Sequence, residues 1–106
     1  MNAQPGEVWL ADLGLAAKTR PVVIVSRSDP DAPRALALYV PLTTQNRKSR
    51  YEVVLPRLLF LDQNSVANVQ GLGSIQTVRL ERRLGRIPTA SLTELKNALV
   101  FALDLD

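Results

Sequence analysis

Residues 21–26, Pro21-Val22-Val23-Ile24-Val25-Ser26, contain four β-branched residues in a row. Branched side chains favour an extended strand, because they pack well on a pleated sheet. An apolar run without alternating polar residues is typical of a strand that is covered on both faces. The sequence therefore predicts a strand here that is buried on both faces.

Further strands and loops are predicted on both sides of this stretch. Apolar stretches, some of them alternating with polar residues, place strands at residues 7–13, 35–42, 51–55, 65–70 and 84–87. Small, polar or turn-forming residues place loops at residues 14–19, 28–33 and 43–49. Residues 56–64 lack clear periodicity, and we predict a loop with a short helical turn. Gly71 and Gly73 indicate a bulge or a close backbone approach.

One amphipathic helix is predicted near the end of the sequence. Its apolar face consists of residues at helical spacing, namely Leu92, Leu95, Leu99 and Ala102, widened by Leu103. Two starting points are open. Ser91 followed by Glu94 matches a capping box, and Thr89 after Pro88 is the rival start.

These elements fit one domain, residues 1–106, of the mainly β (α+β) class. With 46% apolar residues, a chain of 106 residues buries a real core without disulfide bonds. Strands joined by short turns and followed by one helix indicate a small, partly open antiparallel barrel closed by the C-terminal helix. Periodicity alone also leaves a β-sandwich open.

The sequence contains neither Cys nor His. The absence of Cys fits a reducing compartment. Without either residue a zinc site is unfavourable, and hydrolytic chemistry lacks its commonest general acid or base, so we expect no metal and no cofactor. The N-terminus is polar, and no apolar run approaches the roughly 20 residues that a bilayer requires. We therefore expect a cytoplasmic protein.

The formal net charge is +3, and the basic residues gather in two clusters. The first basic cluster is Arg47, Lys48 and Arg50, and the second basic cluster is Arg79, Arg82, Arg83 and Arg86. Two such clusters suit a polyanionic partner such as nucleic acid. An ordinary solvated positive surface is the alternative that charge alone leaves open.

Four stretches, in this order along the chain, resemble the MazF/PemK/CcdB superfamily of toxins. They are residues 6–13 (GEVWLADL), 20–26 (RPVVIVS), 40–44 (VPLTT) and 65–80, followed by the amphipathic helix. The ordered set covers nearly the whole chain. By this resemblance the sequence is identified as a member of the MazF/PemK family.

The resemblance implies an SH3-like barrel, a homodimer, and a cognate antitoxin protein that blocks the active surface. It also implies a type II toxin–antitoxin system whose toxin is an endoribonuclease (an mRNA interferase). Such a toxin cleaves single-stranded RNA without a metal ion and inhibits growth. In family members the catalytic pair is the Arg of the Arg-Pro strand and the Thr closing the third strand. These positions correspond to Arg20 and Thr43.

The candidate RNA-binding residues lie beside this pair in the sequence, except Gln70, which belongs to the stretch at residues 65–80. Single-stranded RNA is held by contacts to its backbone, by base edges and by stacking. The predicted RNA-binding residues are Lys18, Thr19, Thr44, Gln45, Asn46, Arg47, Lys48 and Gln70. We expect Trp9 to belong to the core or to contact the antitoxin. We expect the second basic cluster to be a solvated face or a dimer rim.

Arg20 and Thr43 suit a reaction in which the ribose 2′-OH attacks the adjacent phosphate. A guanidinium offers two parallel donors to phosphate oxygens and stabilises developing charge. Because it stays protonated in proteins, we assign Arg20 charge stabilisation first and proton transfer second. Thr43 would donate a hydrogen bond to a non-bridging oxygen. The ordinary alternatives are a surface arginine at a strand start and a threonine in a polar turn.

Two places depart from the family pattern. The loop before Arg20 is short, and Gln70, Gly71 and Gly73 stand where family members carry an acid, a Gln and an Arg. Some members use side chains from that stretch in catalysis. Two other functions therefore stay open: a non-enzymatic CcdB-like toxin that binds DNA gyrase, and a nucleic-acid-binding barrel without catalysis.

Overall fold

The computed structural model describes residues 2–14 and 19–106. Within these residues the chain forms the strands β1 (Glu7–Asp12), β2 (Thr19–Ile24), β3 (Leu36–Thr43), β4 (Glu52–Val54), β5 (Val66–Asn68), β6 (Gly73–Gln76) and β7 (Leu80–Arg86). Single 3-10 turns lie on each side of β6, at Val69–Gly71 and Thr77–Arg79. One α-helix, α1 (Thr89–Ala102), follows β7.

The described strands form one antiparallel sheet in the order β4-β5-β3-β2-β1-β7. Strand β3 links the parts of this sheet, because its first half pairs with β6 and its last two residues pair with β5. Among the described strands none joins β4 to β7, so the barrel stays open. Helix α1 packs against the edge strand β4. The prediction of a partly open antiparallel barrel is confirmed, and the sandwich alternative is wrong because the sheet is continuous.

The strand predicted to be buried on both faces is β2. Val22, Val23 and Ile24 are each 0% exposed. Successive side chains of a strand point to opposite faces, so these three residues divide between two apolar clusters. Val23 lies in the larger cluster with Leu95 of α1, whereas Val22 and Ile24 lie in the smaller cluster with Trp9. The burial predicted for this strand is confirmed, but β2 spans Thr19–Ile24 rather than residues 21–26, so Thr19 belongs to the strand and not to the predicted loop. The core position of Trp9 is confirmed.

Helix α1 covers the larger cluster with the predicted face. Leu95 is fully buried, and Leu92, Leu99 and Ala102 pack partly buried against the same cluster. The helix begins at Thr89, so the rival start is correct and the Ser91 capping box is wrong. Ser91 lies inside the first turn and is buried, and the helix begins directly after the extended Pro88 without a side-chain cap. Neither α1 nor the two 3-10 turns in the described residues has the length and apolar character needed to cross a bilayer.

Several segments differ from their predicted form. Strand β6 was not predicted, and β7 begins at Leu80 rather than at residue 84, because both strands are fixed by pairing with distant partners, β3 and β1. Of residues 65–70, only Val66–Asn68 form a strand, and a 3-10 turn follows at Val69–Gly71. Residues 56–64 form a loop with a turn at residues 58–61, and the Arg57 guanidinium donates to three backbone carbonyls of this loop.

A buried carboxylate ties the start of β1 to β7. Glu7 is 6% exposed and accepts hydrogen bonds from the Gln4 backbone N–H (2.8 Å), Trp9 Nε1 (3.2 Å) and Arg83 Nε (2.7 Å). Burial raises the pKa of Glu7, but these donors outweigh it and hold the pKa below its ordinary value. Arg86 also approaches this carboxylate, at 3.7 Å. Arg83 and Arg86, both of the second basic cluster, therefore stabilise the contact between β1 and β7.

Candidate active site

The register between β2 and β3 brings Arg20 and Thr43 together. Val22 lies opposite Pro41 and Ile24 lies opposite Tyr39. Continuing this antiparallel register by two residues places Arg20 opposite Thr43. Because side chains alternate, Arg20 shares the sheet face of Val22, and Thr43 shares the face of Pro41. Two residues far apart in sequence thus lie on adjacent strands and on one face of the sheet.

Arg20 and Thr43 line a single cavity of about 550 Å³, here called the Arg20 cleft. Its lining residues are Leu13, Arg20, Pro21, Pro41, Leu42, Thr43, Thr44 and Ser65. Two leucines and two prolines supply the apolar part of the lining, and three hydroxyl residues and one guanidinium supply the polar part. In the described part of the chain this lining contains one cation and no carboxylate. The cleft therefore suits an anionic ligand.

The hydrogen bonding of Thr43 leaves its hydroxyl hydrogen available. Thr43 Oγ1 accepts a hydrogen bond from the Gln45 backbone N–H at 3.1 Å. A hydroxyl has one donor in addition to its acceptor sites, so a ligand oxygen can take the hydrogen. Arg20 is exposed, and no ion pair within residues 2–14 and 19–106 includes it. Both side chains are thus accessible to a phosphate.

A second cavity of about 350 Å³ adjoins the cleft and is here called the Glu52 pocket. Its lining residues are Thr43, Gln45, Arg47, Ser49, Tyr51, Glu52, Asn68 and Gln70. Thr43 lines both cavities, so the two are neighbours. The pairing of β4 with β5 puts Glu52 opposite Asn68 and so forms one wall of the pocket.

The loop between β3 and β4, residues 44–51, is held by side-chain hydrogen bonds. Glu52 Oε1 accepts from the backbone N–H groups of Arg47 and Ser49, both at 3.1 Å, and from Ser49 Oγ at 3.3 Å. Asn46 Oδ1 accepts from the Lys48 N–H at 2.8 Å, at a left-handed turn where Lys48 has φ 58°. The loop is therefore a defined structure beside Thr43.

The structure separates the predicted RNA-binding residues. Thr44 lines the Arg20 cleft, and Gln45, Arg47 and Gln70 line the Glu52 pocket. Asn46 and Lys48 are exposed on the loop outside both linings, and Thr19 is the first residue of β2, opposite Asp12. Lys18 lies outside the described residues.

Sequence reasoning missed several lining residues. Tyr51, Glu52 and Asn68 line the pocket, and Ser65 lines the cleft. Glu52 and Asn68 meet only through the β4–β5 pairing, which no local pattern encodes. The acidic residue just after the first basic cluster was the one available signal, since a carboxylate there invites backbone N–H donors from the preceding loop.

The glycines that depart from the family pattern allow close packing with β3. A Cβ at Gly71 would lie 2.5 Å from Pro41 Cγ, and a Cβ at Gly73 would lie 2.8 Å from the Tyr39 hydroxyl. The predicted close backbone approach is confirmed. Gly71 thus leaves room for Pro41, which lines the Arg20 cleft.

An ion pair holds the end of β1 next to the cleft. Asp12 Oδ1 accepts from the Gly14 N–H at 2.9 Å and from Arg79 at 3.3 Å. The Gly14 hydrogen bond and the Arg79 guanidinium hold the pKa of Asp12 below its ordinary value. Asp12 pairs with Thr19, the residue before Arg20. The hydrogen bonds of Asp12 therefore stabilise the end of β1, which pairs with the start of β2 beside Arg20.

The fold and the site define a small open barrel with a cleft that is lined by one guanidinium and three hydroxyl residues. The sequence pattern of the PemK-like, MazF-like toxins of type II toxin–antitoxin systems matches residues 4–103. The chain belongs to this family.

Individual relatives agree with this assignment. The chain is 36% identical over 108 residues to the probable endoribonuclease MazF5 of Mycobacterium tuberculosis, covering 98% of this chain and 97% of that one. It is 33% identical to endoribonuclease MazF9 of the same organism, covering 94% and 95%.

Solved structures share the fold. A mycobacterial endoribonuclease in complex with its cognate antitoxin has a TM-score of 0.84 at 26% identity, covering 97% of this chain and 96% of that one. A MazE–MazF structure from Deinococcus radiodurans has a TM-score of 0.82 at 20% identity, covering all of both chains, and supports the fold alone.

Proposed function

We propose that this chain is the toxin of a type II toxin–antitoxin system, an endoribonuclease that cleaves single-stranded RNA without a metal ion and so inhibits growth. The observation that carries the proposal is the meeting of Arg20 and Thr43 in one accessible cleft. The relatives named as endoribonucleases support RNA cleavage over the gyrase-binding alternative.

The reaction uses the substrate's own nucleophile. The ribose 2′-oxygen loses its proton and attacks the adjacent phosphorus, and the bond from phosphorus to the 5′-oxygen breaks. The 5′-oxygen takes up a proton, so the products are a 2′,3′-cyclic phosphate and a 5′-hydroxyl. Arg20 stabilises the extra negative charge on the non-bridging oxygens, and the Thr43 hydroxyl donates to one of them.

The loop at residues 44–51 holds the RNA next to the reacting phosphate. Arg47 and Lys48 are exposed cations on this loop, and Thr44 and Gln45 line the two cavities. Contacts of this kind bind the phosphate backbone and weaken as salt concentration rises. We also assign RNA contacts to Thr19, the first residue of β2, and to Lys18, which precedes it in the sequence.

The partners follow from the family and from the surface. A cognate antitoxin binds this toxin, which the mycobacterial endoribonuclease solved in complex with its own antitoxin supports. By the family resemblance, the antitoxin blocks the active surface. A homodimer is supported by exposed large apolar side chains near the β3–β6 pairing, among them Leu36, Leu38 and Val78. We also propose a cytoplasmic location, because the proposed mRNA substrate is found there.

The decisive test is cleavage in the presence of EDTA. Wild-type protein is incubated with an oligodeoxynucleotide that contains ribonucleotides only at a mapped cleavage site. We expect cleavage at the ribonucleotide and loss of at least about 100-fold in rate for Arg20→Ala. Arg82→Ala removes an exposed arginine outside both cavities and is the matched control.

Two results would reject the assignment. One is the absence of wild-type cleavage in any single-stranded RNA. The other is equal cleavage by wild type and Arg20→Ala. If RNA is not cleaved but DNA supercoiling by gyrase is inhibited, the CcdB-like alternative replaces the proposal.

A further inference from the structure

The lining of the Glu52 pocket contains one carboxylate, Glu52, and one cation, Arg47, among neutral residues. Its volume of about 350 Å³ lies within the roughly 300–1,000 Å³ of typical ligand pockets. Because Thr43 lines both cavities, an RNA with its phosphate in the Arg20 cleft places a neighbouring nucleotide at this pocket.

The two carboxylate oxygens of Glu52 have different surroundings. Oε1 accepts all three hydrogen bonds that shape the loop, from two backbone N–H groups and the Ser49 hydroxyl. Within residues 2–14 and 19–106, no hydrogen bond or ion pair uses Oε2. Glu52 is held in place by one oxygen and offers the other to a ligand.

The chemistry of the pocket selects a nucleobase rather than a phosphate. A carboxylate repels phosphate, and in RNA the groups that donate to it are the N–H and amino groups of the bases and the ribose 2′-hydroxyl. Asn68 contributes an amide whose oxygen already accepts from the Gln70 N–H at 3.1 Å, which leaves its NH₂ as a donor. A carboxylate beside an amide donor matches a base edge that carries an amino group next to an acceptor.

We propose that the Glu52 pocket binds one base of the RNA beside the scissile phosphate, and that Glu52 Oε2 accepts a hydrogen bond from the exocyclic amino group of that base. Glu52 is then a specificity-determining residue, which favours adenine, cytosine or guanine over uracil at one position. This inference rests on the proposed ribonuclease function.

The test measures dependence on one amino group at a time. Cleavage sites are first mapped in a long single-stranded RNA, and an oligoribonucleotide spanning the strongest site is made. Each base is then replaced by its analogue without the amino group: purine riboside for adenosine, inosine for guanosine, and 2-pyrimidinone riboside for cytidine. At one position we expect kcat/KM of the wild type to fall by about tenfold or more, the discrimination of one good base contact.

Glu52→Gln separates base recognition from loop shape. Its amide oxygen can still accept the loop hydrogen bonds, but its NH₂ replaces the free acceptor. We expect the dependence on the amino group to shrink to less than about threefold in this variant. Glu81→Gln removes an exposed acid on β7 and should retain the full wild-type dependence.

The inference is overturned if no position shows the dependence in wild type, or if Glu52→Gln retains it. Should Glu52→Gln fail to fold, the carboxyl ¹³C resonance of Glu52 in wild type replaces the variant. Titration with a 2′-O-methyl oligonucleotide, which is bound but not cleaved, should shift this resonance with the amino-bearing base and not with its analogue. No shift contradicts the inference. Because this titration requires no cleavage, its outcome is distinct from failure of the ribonuclease proposal.

Discussion

Arg20 and Thr43 depend on strand register for their proximity. A slip of one residue between β2 and β3 would turn one of the two side chains to the opposite face of the sheet. The register is held by Val23 and Val40, which lie opposite each other and are both 0% exposed. The buried contact between Val23 and Val40 therefore keeps Arg20 and Thr43 opposite each other.

Gly73 provides a test of the packing behind the cleft. A methyl group there would lie 2.8 Å from the Tyr39 hydroxyl. We expect Gly73→Ala to lower the free energy of unfolding by about 1–3 kcal/mol, as overpacking does. Urea unfolding measures it, with the exposed neighbour Ser74→Ala as the control. Equal stability of Gly73→Ala and wild type would show that the contact relaxes without cost.

Among the strands and helices, those with a clear periodic pattern of their own were predicted from the sequence. The branched run of β2 and the apolar face of α1 were readable from sequence, since each carries its own periodicity. Strand β6, with the sequence Gly73-Ser74-Ile75-Gln76, lacks such a pattern and exists through pairing with β3. Residues whose structure comes from distant partners were the ones that the sequence could not place.

The hydrogen-bonded carboxylate of Glu7, which links β1 to β7, predicts that the free energy of unfolding depends on pH. The folded protein binds Glu7 as a carboxylate and lowers its pKa from the ordinary 4.5. This stabilisation is present above pH 4.5 and disappears as pH falls through the lower pKa of the folded state. We expect urea unfolding of wild type to show a loss of stability in this acidic range.

Glu7→Gln is the matched variant, because it keeps the size of the side chain and removes the titration. Its free energy of unfolding should be lower than that of wild type at pH 7 and should fall less between pH 7 and the acidic range. Parallel pH profiles for the two proteins would show that Glu7 does not contribute the effect.

For the whole molecule, the open barrel assembles a site from segments distant in sequence. Sequence reasoning proposed Arg20 and Thr43, by resemblance, and Gln70 as site residues, and the structure puts all three in the linings of two adjoining cavities. Sequence reasoning did not identify Glu52 and Asn68, which lie opposite each other on β4 and β5. Cavities formed between strands depend on sheet topology, which single-sequence patterns do not contain.

The proposed homodimer makes a prediction at this scale. Exposed Leu36, Leu38 and Val78 favour association, because large exposed apolar side chains gain free energy on burial. We expect sedimentation velocity to give twice the 11.7 kDa mass of one chain. A single species of 11.7 kDa at micromolar concentration would contradict the homodimer.

The most direct test of joint action by Arg20 and Thr43 is a double-mutant cycle in single-turnover cleavage. Wild type, Arg20→Ala, Thr43→Val and the double variant are compared in EDTA on the same oligonucleotide with one ribonucleotide site. If both side chains bind the same phosphate in the transition state, the double variant loses less than the product of the two single losses. Losses that multiply independently, or a Thr43→Val variant as active as wild type, would contradict the account.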